Sequence, residues 1–392
     1  QRNSYAFDKF VELAHQNNVY LKTVVLEKNE LIENGIGKDG VPSNEFDNNN
    51  FYGDGRNLTA VRWLQMTWWR YLQARWGYSP NIHSWELVNE ADPSNANHYA
   101  QADEFAKYEH CTVFGIAVPF GDGQKCAYTH PNSHLITTSF WSGFPKAEFW
   151  GNSNYPNIDY ADIHRYVDQA TDPAHFNDTA LATYDVSLLY GASQVGGVGK
   201  PVLRGETGLT DSGTQPPTNA IQRDANATWL HNLVWGSINS GGLVDLYWYE
   251  TPHIYGNTFD HRNEYGNYYR FIKDIPLDNG KYVDAGATST NGSIRAWGQK
   301  DPVNGQAHLW IQNINHTWQN VVKGVKIPAL AGTVSVLGLQ PIASFTVQWW
   351  NTYTGTVSRT LTVTSDAQGK LALPVGNFTS DIAVKIFPSP GR

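Results

Sequence analysis

The stretch Ser84-Trp85-Glu86-Leu87-Val88-Asn89-Glu90, followed by Ala91-Asp92-Pro93, reads as a strand that delivers a glutamate at its end and is then broken. A second stretch, Pro201-Val202-Leu203-Arg204-Gly205-Glu206-Thr207-Gly208, has the same design. Working outward, Phe7, Phe10, Val11, Leu13 and Ala14 recur at helical spacing and predict a helix over 4–18, followed by a β-rich run over 19–26. A polar loop over 28–58 leads to a helix over 59–76, which stops at Gly77 before the Glu90 strand. Beyond it come a longer helical region and then strands at 134–138, 160–164, 201–205 and 242–248, with further helices near 180–193, 222–239 and 265–274. Strands alternating with helices of this length predict βαβ units and a parallel sheet. Six strands and six helices precede residue 280, whereas a closed barrel of this kind needs eight of each.

The pattern changes near residue 284. Short alternating runs such as His308-Leu309-Trp310-Ile311 and Phe345-Thr346-Val347-Gln348-Trp349-Trp350 are separated by turn signals such as Thr354-Gly355 and Asp366-Ala367-Gln368-Gly369. Strands at that spacing predict an antiparallel β-sandwich. The expected domains are therefore 1–283 (α/β) and 284–392 (β-sandwich), in keeping with a length of 392 residues.

Composition narrows the function. A formal charge of −8 with no long Lys/Arg run argues against nucleic acid and against anionic membranes as partners. No apolar stretch approaches the roughly 18 residues of a membrane span. The 15 Trp and 21 Tyr suit stacking on sugar rings, although most are expected to fill cores. Cys111 and Cys126 are either a disulfide closing a short loop or two free thiols. No tetrahedral metal spacing occurs, and Asp47 to Asp54 do not follow an EF-hand, so no metal or organic cofactor is expected. Asn57, Asn177, Asn226, Asn291, Asn315 and Asn377 begin glycosylation sequons.

Two strand-end glutamates on a rigid sheet fit the chemistry of retaining glycoside cleavage, in which one carboxyl cycles as acid and base and the other attacks carbon. Glu90 as the acid needs surroundings that raise its pKa. Asn89 beside it is placed to bond a sugar hydroxyl. Glu206 lies between Gly205 and Gly208, where backbone can approach a ligand closely. Taken singly, each glutamate is equally well read as a structural ion pair.

In combination these segments resemble the clan A glycoside hydrolases. Trp85-Glu86-Leu87-Val88-Asn89-Glu90 looks like their fourth-strand motif and Pro201 to Gly208 like their seventh. Ile163-His164-Arg165-Tyr166 resembles the segment after the sixth strand of cellulase-like family 5 enzymes, and Trp248 falls where an aromatic often ends the eighth. The resemblance implies a (β/α)8 TIM barrel, of which strands 3 to 8 lie in this chain, followed by the β-sandwich. It implies Glu90 as acid/base, Glu206 as nucleophile, Tyr166 as hydrogen-bond donor to the nucleophile, and His164 and Trp248 lining the sugar subsites. Trp141 and Tyr247 are looser candidates.

The segment that would supply the first two barrel strands, and the arginine usual in family 5, does not occur in this sequence, so it is expected in a second polypeptide, in a cleaved N-terminal fragment, or in a part of the protein left out of this sequence. The expected function is a retaining β-glycoside hydrolase of endo-glucanase or mannanase type, acting on a polysaccharide or oligosaccharide, with carboxyl groups about 5–5.5 Å apart. A secreted setting follows from that class. The alternative is a catalytically silent carbohydrate-binding protein on the same fold. The loops at 28–58, 110–132 and 251–265 are expected to set the choice of sugar.

Overall fold

The decisive run forms a strand, Ile82–Asn89, at the centre of a three-stranded parallel sheet. The structure, a computed structural model, describes residues 2–28, 60–92, 96–111, 130–142, 148–189, 200–211, 217–239 and 247–389. Strands β1 (Leu21–Glu27), β2 (Ile82–Asn89) and β3 (Leu135–Thr137) pair side by side, Leu26 against Val88 and Trp85 against Ile136. Helices α1 (Arg2–Gln16), α2 (Ala60–Trp76) and α3 (Ala96–Cys111) each precede one of them. The series continues with β4 (Ser139–Phe140), β5 (Ala161–His164) and β7 (Val202–Glu206), in that order in a second sheet, while β6 (Val167–Asp168) pairs in parallel with β8 (Leu209–Thr210). Single parallel bridges join Ala91 to Phe140 and Thr207 to Tyr247. The parallel strands thus follow chain order but in pieces rather than as one continuous ladder.

The strand expected at 134–138 forms as β3. At Thr138, whose hydroxyl donates to the Val88 carbonyl at 3.1 Å, the pairing divides between β3 and β4. The expected helix at 222–239 also divides, into a 3₁₀ turn at Ala220–Arg223, α6 (Thr228–Trp235) and a second 3₁₀ turn at Gly236–Asn239. Ala227 adopts a left-handed φ of 51°, and Asp224 accepts from the Trp229 N–H and the Thr228 hydroxyl, so a new helix starts there. Most of the expected strand at 242–248 lies outside the described residues.

The chain folds as two compact units: Gln1–Arg165 with Tyr190–Gly205, and Tyr166–Leu189 with Glu206–Arg392. The first unit buries Trp69, Trp85, Phe105, Phe140 and Trp150 between its strands and helices. Helix α1 contributes Val11 and Ala14, with Phe7 edge-on to Trp76 at 4.8 Å. Phe10 and Leu13, expected on its buried face, flank that stripe and are exposed.

Among the described residues the antiparallel strands lie in the second unit: β9 (Val283–Asp284), β10 (Thr288–Ser289), β11 (Ile294–Asp301), β12 (Gln306–Asn313), β13 (Leu330–Val336), β14 (Ser344–Asn351), β15 (Thr356–Thr364), β16 (Leu371–Phe378) and β17 (Asp381–Pro388). A six-stranded sheet, β15-β14-β17-β12-β11-β9, shares one apolar core with a three-stranded sheet, β10-β13-β16. Leu309, Ile311, Val334, Val336, Val347, Leu373, Val384 and Ile386 alternate along their strands to fill it.

Element type changes at 283, where antiparallel pairing begins, but the compact unit extends beyond it, because this sandwich packs on α4 (Pro173–Asn177), α5 (Thr179–Leu189), α6 and α8 (Asn263–Ile272). Arg295 grips Asp178 at 3.1 and 2.5 Å, Trp297 stacks on Tyr184 with centroids 3.8 Å apart, and the Trp318 indole donates to the Phe176 carbonyl at 2.6 Å. Among the described residues no helix is long and apolar enough to cross a membrane.

Candidate active site

In the first unit, Glu90 follows directly on β2 with a left-handed φ of 55°. That conformation costs of order 1–3 kcal/mol for a non-glycine residue and persists only where the surroundings over-determine it. Here Ser139 supplies the constraint. Its hydroxyl accepts the Glu90 N–H at 2.9 Å, and its carbonyl accepts the Ala91 N–H at 2.9 Å. The Glu90 carboxylate meets His164 Nδ1 at 3.3 Å and accepts from the Lys28 ammonium. Burial pushes the Glu90 pKa up, but these two partners outweigh it and bring it down to about 2. The expected raised pKa is therefore not what this geometry produces: Glu90 rests ionised.

Around it, Asn89 is half-buried and ends the strand opposite Glu27. Trp141 is 44% exposed, with the Lys28 ammonium 5.7 Å from its ring centre. The ring is thus partly exposed and lies under the side chain that also reaches Glu90.

Beneath Glu90 lies a buried ionic group that motif reading passed over. Lys22 Nζ stands 2.7 Å from Glu86 and 2.5 Å from Asp162, and both carboxylates are fully buried. Desolvation works against the Lys22 charge, but the two carboxylates outweigh it and raise its pKa. Glu86 also accepts from the Ser139 hydroxyl, while Asp162 Oδ1 lies 3.8 Å from His164 Nε2. Glu86, Asp162 and His164 together present ligand atoms within 4.8 Å of one another, a spacing that would suit a metal ion. The ammonium already occupies the position between the two carboxylates. The available signal in the sequence was a charged residue in the middle of each of three apolar strands, Lys22, Glu86 and Asp162.

In the second unit, Glu206 ends β7 half-buried, and the Tyr166 hydroxyl donates to its Oε2 at 2.8 Å. Gly208 makes this approach possible, since a Cβ there would meet the Tyr249 ring at 2.6 Å and the Tyr166 ring at 3.0 Å. Tyr249, also missed from sequence, packs on Tyr166 with centroids 5.7 Å apart. Trp248 is 57% exposed and its N–H donates to the Thr207 carbonyl at 2.8 Å, which fixes its backbone at the end of β7. Tyr247 is buried, its hydroxyl bonded to His253 Nδ1 and to the Leu209 N–H, so it packs rather than opens to solvent.

Cys111 is disulfide-bonded, and Cys126, the chain's other cysteine, lies outside the described residues. So do most of the 28–58 and 110–132 loops. The expected loop at 251–265 contains a short helix, α7 (Glu250–His253), and a bridge between Tyr255 and Asp260.

No model of a known protein family matches the chain, and no curated protein sequence does. Among solved structures, the chain is similar to a glycoside hydrolase family 5 protein from Bacteroides vulgatus ATCC 8482, at TM-score 0.55 and 12% identity over 98% of this chain and 74% of that one. It is similar to a further glycoside hydrolase at TM-score 0.54 and 13% identity, over 98% of this chain and 76% of that one. At such identities the likeness is one of fold.

Proposed function

We propose that this chain is a glycoside hydrolase that cleaves a β-linked polysaccharide or oligosaccharide with retention, with Glu206 as nucleophile and Glu90 as acid/base. The observation that carries the reading is that one short segment furnishes a partner for each glutamate: His164 for Glu90, and Tyr166 for Glu206. On a fold shared with solved glycoside hydrolases, that is the support two catalytic carboxyls require.

In this mechanism Glu206 attacks the anomeric carbon while Glu90 gives its proton to the leaving oxygen, and Glu90 then takes a proton from the water that hydrolyses the glycosyl-enzyme. Tyr166 holds the attacking carboxylate by its Oε2. Because Glu90 rests ionised against Lys28, substrate has to part this ion pair before Glu90 can carry a proton. Asn89, His164, Trp141 and Trp248 line the sugar subsites, the two exposed indoles as stacking faces. We assign residues 1–283 to the catalytic (β/α)8-type domain and 284–392 to a bracing β-sandwich. The Cys111 disulfide accords with a secreted setting.

A fluorosugar that traps the glycosyl-enzyme should label Glu206, and mass spectrometry of the labelled peptide tests this. Label on another residue overturns the assignment. Hydrolysis of chromogenic β-glycosides should vanish in Glu206→Gln; sugar binding by a wild type that never hydrolyses would favour the silent binding protein.

A further inference from the structure

We propose that Lys22 is a positioning residue for Glu90: its ammonium ties Glu86 to Asp162, and these two carboxylates, through Ser139 and His164, hold the backbone and the carboxylate of Glu90. The inference rests on Glu90 as the acid/base.

Two chains of contact leave Lys22. One runs from Lys22 Nζ to Glu86 at 2.7 Å, from Glu86 to the Ser139 hydroxyl, and from that hydroxyl to the Glu90 N–H at 2.9 Å. The other runs from Lys22 Nζ to Asp162 at 2.5 Å, from Asp162 to His164 Nε2 at 3.8 Å, and from His164 Nδ1 to Glu90 Oε1 at 3.3 Å. Both end on Glu90, one on its main chain and one on its side chain. Space for the group is kept by Gly205, where a Cβ would collide with Asp162 and come within 2.8 Å of Lys22 Nζ.

A buried ion group is poor currency for stability, because desolving three charges offsets most of what their attraction returns, and apolar side chains of similar volume usually serve a core as well. Geometry is what such a group supplies. Glu90 needs it, since its left-handed backbone is held against an intrinsic preference for other conformations. Burial raises the Glu86 pKa while Lys22 opposes it, so the ammonium also helps Glu86 remain an acceptor for Ser139.

The test replaces Lys22 by Ala and follows hydrolysis of a chromogenic β-glycoside, with and without added methylammonium, beside backbone amide exchange. We expect kcat to fall roughly 10- to 100-fold with KM little changed, as for other residues that orient a reacting group. Methylammonium should restore part of kcat, and the Glu90 amide should lose protection while the Leu87 amide keeps it. Full kcat in the variant, or a loss that methylammonium does not touch with the Glu90 amide still protected, overturns the proposal.

Should Lys22→Ala not fold, the wild type still decides: the Glu90 amide, just past the strand end, must be as protected as that of Leu87, and exchange at the rate of a frayed end overturns the proposal. The two readings fail separately. Activity abolished by Glu206→Gln but untouched by Lys22→Ala sinks the positioning role alone. Lys22-dependent protection of Glu90 in a protein that cleaves no glycoside sinks the hydrolase reading alone.

Discussion

Glu90 is held in a charge state opposite to the one its proposed step uses, and the balance depends on named neighbours. Lys28 and His164 bring its pKa to about 2, so removing the Lys28 charge leaves burial less opposed. Lys28→Met should therefore raise the Glu90 pKa, seen as an upward move of its carboxyl carbon titration by NMR, and should move the alkaline limb of kcat/KM, which reports loss of the proton from the general acid, the same way. A titration that stays put would show that Lys28 does not govern Glu90. For Glu206 the corresponding neighbour is Tyr166. Tyr166→Phe deletes one hydrogen bond to a carboxylate, worth about 1.5–3 kcal/mol, so kcat should drop by roughly 10- to 100-fold. Wild-type turnover would remove Tyr166 from the mechanism. The residue types at both sites were legible in the sequence, because Asn89-Glu90, Glu206 and His164-Arg165-Tyr166 form local motifs. The resting charge of Glu90 was not legible, since Lys28 and His164 lie 62 and 74 positions away.

At the scale of elements, local pattern placed β1, β2, β5 and β7 to within a few residues, because an apolar run bounded by Gly, Pro or Asn is a local signal. It failed where a side chain competes with the backbone, at Asp224. The Asp224 cap is testable. Its carboxylate accepts from the Trp229 N–H at 3.0 Å and from the Thr228 hydroxyl at 3.1 Å in a buried setting. Asp224→Ala should destabilise the fold by about 1–2 kcal/mol, read as a lower midpoint in urea at unchanged slope. An unchanged midpoint would mean that α6 starts without its cap. Gly205 is the strand counterpart. A methyl group there meets Asp162 and Lys22, and Gly205→Ala should cost about 1–3 kcal/mol in the same assay.

Over the whole molecule, the second unit is secured by a buried charge group of its own. His231 on α6 lies 3.1 Å from Asp381 at the start of β17 and 2.7 Å from Glu264 on α8, and stacks on Tyr353 with centroids 4.0 Å apart. Burial alone would lower the His231 pKa, but the two carboxylates outweigh it and lift it to about 9. A folded pKa above the unfolded value of about 6.5 contributes stability that is complete below that pH and lost as pH rises toward 9, on the order of 3 kcal/mol in all. Asp381 has the opposite sign: its lowered pKa adds stability that disappears as pH falls through the ordinary carboxylate range. Thermal or urea unfolding followed from pH 6 to 10 should show the alkaline decline in wild type and lose it in His231→Gln; a parallel decline in both would exclude His231 as its source.

The sequence by itself determined the order of most of the described strands and helices, the change to antiparallel pairing near residue 283, and the places of the two glutamates, one just past β2 and one on the last residue of β7. Each of these follows from periodicity and breakers that act over a few residues. Only the tertiary structure decided what those carboxylates touch. The Lys22–Asp162 pair spans 140 positions and His231–Asp381 spans 150, so their charges are balanced by folding rather than by any neighbour in the chain.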